Sequence, residues 1–547
     1  MFFIKYYKFL KENSSFSLFK LMAMGLIAGV SGTALLIIIN NVIALDPQNE
    51  KFCPNLFIGF IAIMGVHFTV QTFYQASLIR LSMDLIWKVR MKALSNIRHA
   101  DLLKYEAFGI SRIYNILTSD VASISRVGQM LSAIIVAAVT ILSCLIYLAW
   151  LTPIGCLISI AVMVFIAIVH AIGEKKNNKR FRESVEVEDK FFRYFSYILY
   201  GLKELKLDKH KNDDLFHNHV EKAAMEAKEL RTRVNIKFLR NSLLGQFFFF
   251  GVIALFLFVF PFFKISLLSN SAQYILITLY IMSPAQTIAQ FIPDFFQASI
   301  GLDRFRELEK LEQAKGNDDG KNILFSATTL SLSFKEVVFK YEAQHGEKGF
   351  ELGPLNFNFC KGELVFLTGG NGSGKSTFIR LLTGLYAPGS GSIIVDGNEI
   401  STEHGESYRS LFSVVYTDSF LFDKVFGMKE NQDQQMNKIL KDIGLGSKVK
   451  FKDHAFSTTD LSYGQKKRLS LATCLLEDNE IYIFDELAAN QDPEFKDYFY
   501  HQVLSDLRNK GKIVLVVTHD EKYFYLADKH YKMEMGKIVK YEEYAKV

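Results

Sequence analysis

The chain reads as a bundle of six membrane-crossing helices followed by an α/β domain on a largely parallel sheet, and three observations predict it. Uncharged apolar stretches of membrane length occur at 21–44, 56–76, 128–150, 153–172, 243–263 and 271–293. Each has about the 20 residues a helix needs to cross a hydrocarbon core, where every backbone group must be bonded within its own segment. From about residue 330 the pattern changes to short β-rich runs at 332–339, 363–368, 392–395, 413–416, 481–484 and 513–518, separated by helical stretches; such alternation indicates a parallel sheet. Between the apolar run 363–368 and a helix-like run at 378–385 lie Gly369, Gly370, Asn371, Gly372, Ser373, Gly374, Lys375, Ser376 and Thr377, a phosphate-binding loop in the setting its mechanics require.

Composition supports the membrane half. Of 547 residues, 50% are hydrophobic, and the mean hydropathy is +0.14, too apolar for an ordinary soluble chain of this size. The net charge of +6 is accounted for by cations flanking membrane helices, so nucleic acid is not expected as a partner. The five cysteines (Cys53, Cys144, Cys156, Cys360, Cys474) have no metal-ligand spacing, so neither disulfides nor structural zinc are expected. Lys5, Lys8, Lys11 and Lys20 precede the first apolar stretch, and no Ala-x-Ala site follows. That start predicts a first membrane helix rather than a removable signal peptide.

The loops orient the bundle. The connections at 45–55, 151–152 and 264–270 are short or poor in cations, whereas 77–127 carries Arg80, Lys88, Arg90, Lys92, Arg98, Lys104, Arg112 and Arg126. The stretch 173–242 is denser still. Positive loops stay in the cytosol, which is expected to place both termini and both long loops on the cytosolic side of the cytoplasmic membrane. Their helical pattern predicts membrane helices extended into the cytosol, with a turn at each tip. A charged helix at 304–314 and the polar breaker 316–320 mark a linker.

The phosphate loop has chemical company. Glycines let backbone N–H groups turn toward the phosphates, and the following helix presents its positive end to the same anion. Lys375 reaches for the β- and γ-phosphates, and the Ser376 hydroxyl suits Mg²⁺. The apolar run 481–484 ends in Asp485 and Glu486. At the carboxyl end of a buried strand, Asp485 suits Mg²⁺ and Glu486 suits the attacking water. An ion pair at a strand end is the plainer alternative for either. Leu461, Ser462, Tyr463, Gly464 and Gln465 open a helix running to Leu476, where Ser462 could also be an ordinary N-cap.

That Leu-Ser-x-Gly-Gln run, between a phosphate loop and an Asp-Glu strand, resembles the ABC-transporter signature, and the chain is similar to an ABC exporter half-transporter over nearly its whole length. The resemblance implies a transmembrane domain at 1–305, a linker at 306–329 and an ABC ATP-binding domain at 330–547. It implies ATP and Mg²⁺, with Tyr341 stacking on adenine, His519 contacting the γ-phosphate, and Ser462, Gly464 and Gln465 reaching a nucleotide on a second copy of the chain. A homodimer follows. Two departures stand out: Thr417 and Asp418 occupy the usual metal-sensing glutamine position, and 487–492 departs from Ser-Ala-Leu-Asp but retains Asp492. The runs 414–423, 485–493 and 201–207 resemble bacterial exporters of cyclic or modified peptides and peptide siderophores. The expected function is ATP-driven export of a peptide-like substrate. The alternatives are a lipid, glycolipid or multidrug exporter, or an ATP-dependent gate that pumps nothing.

Overall fold

The computed structural model describes residue 9 and residues 18–43, 54–151, 153–259, 271–311, 330–341, 349–400, 405–427 and 432–543. Its helices, in chain order, are α1 (Leu18–Ile43), α2 (Pro54–Arg98), α3 (Leu102–Phe108), α4 (Ile110–Asn115), α5 (Val121–Leu151), α6 (Pro153–Tyr200), α7 (Leu202–Leu207), α8 (Lys209–Asp213), α9 (Glu221–Ala254), α10 (Ser271–Glu309), α11 (Lys375–Leu382), α12 (Gly405–Arg409), α13 (Asp433–Asp442), α14 (Tyr463–Glu477), α15 (Pro493–Tyr498) and α16 (Leu504–Asn509). The chain forms two compact units: Met1–His99 with Phe108–Leu311, and Ala100–Ala107 with Glu312–Val547. The linker residues 312–329, including the breaker 316–320, lie outside the described residues.

The first unit is helical. By length and composition Lys20–Ile43, Pro54–Arg98, Ile110–Leu151, Lys209–Val259 and Ala272–Glu309 are able to cross a membrane, and Pro153–Val169 is a shorter apolar helix. With 45 and 48 residues, α2 and α6 are more than twice the length a bilayer core needs, so their polar ends extend beyond it. Small residues let the helices approach closely: a Cβ on Gly29 would lie 2.7 Å from Val139 Cγ1. Several polar groups at this depth find partners, although Asn40 Oδ1 and Gln71 Oε1 are buried without one. Asn40 Nδ2 donates to Tyr147 OH at 3.1 Å, Gln273 Nε2 donates to the Asn40 carbonyl at 3.2 Å, and Ser31 Oγ lies 2.9 Å from His67 Nδ1. In the aromatic fifth stretch, Phe249 and Phe256 are buried, the latter stacked on Tyr274, whereas Phe247 and Phe258 are exposed on this chain. The charged helix read at 304–314 ends at Glu309, followed by a turn at Lys310 and Leu311. Its last turns are held by ion pairs: Arg304 to Asp189 (2.6 Å) and Asp120 (3.8 Å), Glu307 to Arg112, and Glu309 to Lys92 (2.6 Å).

The second unit is α/β, with strands β1 (Ser331–Lys340), β2 (Glu351–Cys360), β3 (Leu364–Gly369), β4 (Ser390–Val395), β5 (Asn398–Glu399), β6 (Phe412–Val415), β7 (Phe451–Lys452), β8 (Ala455–Phe456), β9 (Ile481–Asp485), β10 (Ile513–Val517), β11 (Lys529–Glu534) and β12 (Lys537–Glu543). A six-stranded sheet runs β12-β11-β3-β10-β9-β6, parallel except for β12. A separate antiparallel sheet, β2-β1-β4-β5, holds two strands that the sequence runs place at 332–339 and 392–395. Side chains of β3, β9 and β10 alternate between two cores, as the strand period of two requires. Leu364, Phe366, Tyr482, Phe484, Val514 and Val516 meet the helical layer, while Val365, Leu367, Ile481, Ile483, Leu515 and Val517 meet the antiparallel sheet and α11. Burial on both faces is why these strands read as unbroken apolar runs. Leu102 and Leu103 of α3 pack against the second of these cores, which is how Ala100–Ala107 becomes part of this unit.

Candidate active site

Strand β3 is buried throughout and delivers the chain to the loop at Gly369. Two of the glycines are obligatory. A Cβ on Gly369 would lie 2.4 Å from the Met533 carbonyl oxygen, and one on Gly374 (φ +104°) would lie 2.9 Å from Leu352 Cδ1 and 3.0 Å from the Phe350 ring. The loop closes with Ser373 N donating to Gly370 O at 3.2 Å, and α11 starts with Phe378 N on Gly374 O at 2.8 Å. Lys375 is buried and curls back, its Nζ donating to the carbonyls of Gly369 (2.7 Å) and Gly370 (3.2 Å). The Ser373 hydroxyl is buried without a hydrogen-bond partner. A cradle of turned-in backbone with an unspent hydroxyl and a folded-back cation is built for a phosphate chain.

A cleft of about 360 Å³ opens over the loop, lined by residues 371–377 together with Phe350, Thr417 and Glu486. Asp485 ends β9 just behind it and is buried. Burial pushes its carboxyl above the ordinary range, an effect that hydrogen bonding from Thr417 opposes and the neighbouring Glu486 reinforces. Thr417 also spends its hydroxyl on the Asp485 carbonyl at 3.2 Å.

Glu486 holds a left-handed backbone (φ +50°), a costly conformation for a residue with a side chain. Two bonds fix it: its N–H donates to Val517 O at 3.1 Å, and its carbonyl accepts from the buried Lys467 Nζ at 2.8 Å. The kink turns the carboxylate into the cleft, where Oε1 lies 3.5 Å from Nε2 of the exposed His519. Tyr341, half-buried, reaches the loop from the side with its hydroxyl 3.2 Å from Thr377 Oγ1.

Ser462, Gly464 and Gln465 do not line this cleft. Within one chain Ser462 caps α14 in a reciprocal box: Gln465 N donates to Ser462 Oγ (3.4 Å) and Ser462 N donates to Gln465 Oε1 (3.2 Å). The Gly464 carbonyl accepts from Gln491 Nε2 at 3.0 Å, and Gln491 Oε1 accepts from Arg468 Nε at 2.9 Å. Arg468 also pairs with Asp492, which caps α15. Sequence reasoning missed Lys467, Gln491 and Phe350 as parts of the site. The first two act on backbone that only the fold brings near, and Phe350 lies outside every motif.

The ABC transporter family profile matches residues 352–489. The chain is 30% identical over 529 residues to the ATP-binding protein SyrD of Pseudomonas syringae pv. syringae, covering 94% of this chain and 92% of that protein. It is 25% identical over 566 residues to the subtilin transport ATP-binding protein SpaT of Bacillus subtilis, covering 97% and 89%. Over 200 residues it is 33% identical to the energy-coupling factor transporter ATP-binding protein EcfA1 of Mycoplasma pneumoniae, 34% of this chain and 71% of that protein. A helical membrane unit, a phosphate cradle with an acidic strand end beside it, and similarity running through both units leave one reading: the chain belongs to the ABC transporter family, as an exporter half-transporter whose ATP hydrolysis is coupled to transport.

Proposed function

We propose that two copies of this chain sit in the cytoplasmic membrane with residues 330–547 in the cytosol, residues 1–305 forming the membrane part and 306–329 the link, and that ATP hydrolysis drives a peptide-like molecule outward. Each nucleotide lies on 369–377 of one copy and under Ser462, Gly464 and Gln465 of the other. Tyr341 stacks on the base. Lys375 leaves its resting carbonyls for the phosphates, and Ser373 supplies its free hydroxyl. Glu486 accepts a proton from the attacking water, oriented by its left-handed backbone, and His519 steadies the γ-phosphate. Among the described residues no cluster of three or more His, Cys, Asp or Glu could cage a metal. This donor set fits Mg²⁺, which Ser376 and Asp485 would hold, the buried carboxylate of Asp485 gaining from a cation. Bound there, it would neutralise charge on the transferred phosphoryl group.

The observation that carries the reading is the shared cleft of 371–377 and Glu486, with His519 at 3.5 Å from its carboxylate. An intact carboxylate suits turnover more than gating. For the cargo, support comes from the peptide-exporter-like runs at 201–207, 414–423 and 485–493, and from a relative along the whole chain that is named for subtilin transport. Inside-out vesicles carrying wild type or Glu486→Gln, offered labelled cyclic peptides, test it. ATP-dependent accumulation is expected with wild type only, with ATP turnover in the variant down by about a hundred-fold or more. Equal accumulation in both would rule out pumping.

A further inference from the structure

A polar and aromatic cluster beside the nucleotide cleft takes no part in the chemistry above. Glu106 of α3 sits in it: its Oε2 accepts from the Tyr386 hydroxyl at 2.7 Å and from Arg380 Nη1 at 3.3 Å, and Arg380 Nη1 also donates to the Tyr386 hydroxyl at 2.7 Å. Arg380 stands one turn along α11 from Thr377, on the same helix face. The buried Tyr386 ring stacks on Phe339 at 5.2 Å and meets the Tyr341 ring edge-on at 6.2 Å, and Tyr341 in turn bonds Thr377. A continuous set of contacts thus runs from the loop segment between α2 and α4 to the ring and hydroxyl at the edge of the phosphate loop. Burial, and then the Glu106 carboxylate, push the Tyr386 hydroxyl upward, so it remains a donor.

We propose that Glu106 is a positioning residue for the base side of the nucleotide site: through Tyr386 and Arg380 it fixes the Tyr341 ring, so that Ala100–Ala107 and the nucleotide each set the other's grip. This rests on the assignment of Tyr341 to the base. The hydrophobic anchoring of the segment is already provided by Leu102 and Leu103. The hydroxyl–carboxylate–guanidinium triangle adds direction rather than area, since it restrains the Tyr386 ring that Tyr341 meets edge-on. An aromatic platform held in one orientation loses less freedom when a base stacks on it. Coupling of this kind is reciprocal by linkage: whatever holds Glu106 in place tightens the nucleotide, and a bound nucleotide tightens the hold on Glu106.

Binding measurements on the full-length protein in lipid test this, using a non-hydrolysable ATP analogue and, as a base-free probe, inorganic tripolyphosphate. For Glu106→Gln and for Tyr386→Phe the analogue's Kd is expected to rise about three- to ten-fold, with tripolyphosphate binding unchanged. In a Tyr341→Ala background, Glu106→Gln is expected to add nothing. An unchanged Kd in both single variants, a full shift that persists without Tyr341, or an equal shift for tripolyphosphate overturns the proposal while leaving the base assignment standing. If Tyr341→Ala alone leaves the analogue's Kd unchanged, the base assignment falls and the proposal with it. Thermal unfolding of each variant identifies any that fails to fold, in which case the other single variant carries the test.

Discussion

At the scale of single residues, the site depends on a few groups forced into costly states. Glu486 accepts a left-handed backbone, and Lys467 is buried to hold its carbonyl. Lys467→Met, which keeps most of the side chain's length and removes the donor, is expected to lower kcat by about ten- to a hundred-fold if Glu486 has the proposed role, because small misplacements of a reacting group are expensive. ATP affinity should stay within about two-fold, since Lys467 does not line the cleft. Steady-state hydrolysis beside analogue binding separates the two effects. The placement of Lys375, Asp485 and Glu486 at or beside one cleft was legible in the sequence because each lies inside a contiguous motif. Lys467 and Gln491 were not, because their partners are backbone atoms 19 and 27 positions away. The Thr417 and Asp418 departure resolves in part: Thr417 lines the cleft and bonds the Asp485 carbonyl.

At the scale of elements, the central parallel strands were readable as apolar runs, whereas β2, β11 and β12 were not. Strand β2 contains Gly353 and Pro354, residues that interrupt a strand pattern, yet it is the edge of its sheet, where a missing N–H costs no ladder bond. The β11–β12 hairpin carries Lys529, Lys532, Glu534, Lys537, Lys540 and Glu542, charges that protect an edge and conceal a strand. One bond across β3 and β11 should be visible in stability. His530 Nε2 lies 2.9 Å from Thr368 Oγ1, and burial holds the imidazole below its ordinary 6.5. Folding therefore favours the neutral ring: its contribution is complete above that pH and is lost as pH falls below it, by at most about 1.4 kcal/mol per unit. Thermal unfolding of nucleotide-free protein should show a drop from pH 7.5 to 5.5, and His530→Gln should flatten part of it.

For the whole molecule, the decisive fact is that Ser462, Gly464 and Gln465 of one chain do not line the cleft over its own phosphate loop. No reading of isolated motifs could show this, since both motifs are complete in the sequence and only their placement keeps them apart. If two copies complete each other, Lys375→Ala and Ser462→Arg should each abolish hydrolysis alone, yet co-expression should restore it. A mixed pair would contain one site with both defects and one with neither. Absence of restored phosphate release, with both variants shown to associate, would mean that each chain works alone. The elongated helices that flank the two long charged connections were legible from helical pattern, since an uninterrupted pattern marks the length.

The alternating side chains of β3 make that strand a partition with two independent tenants. Val365→Ala would leave a void against the antiparallel sheet, and Phe366→Ala one against the helical layer, the latter costing about 3–5 kcal/mol. Consecutive substitutions should therefore accelerate amide exchange in different halves of the domain, which offers a way to loosen the wall beside Tyr341 and Phe350 while leaving the layer behind the acidic strand end intact.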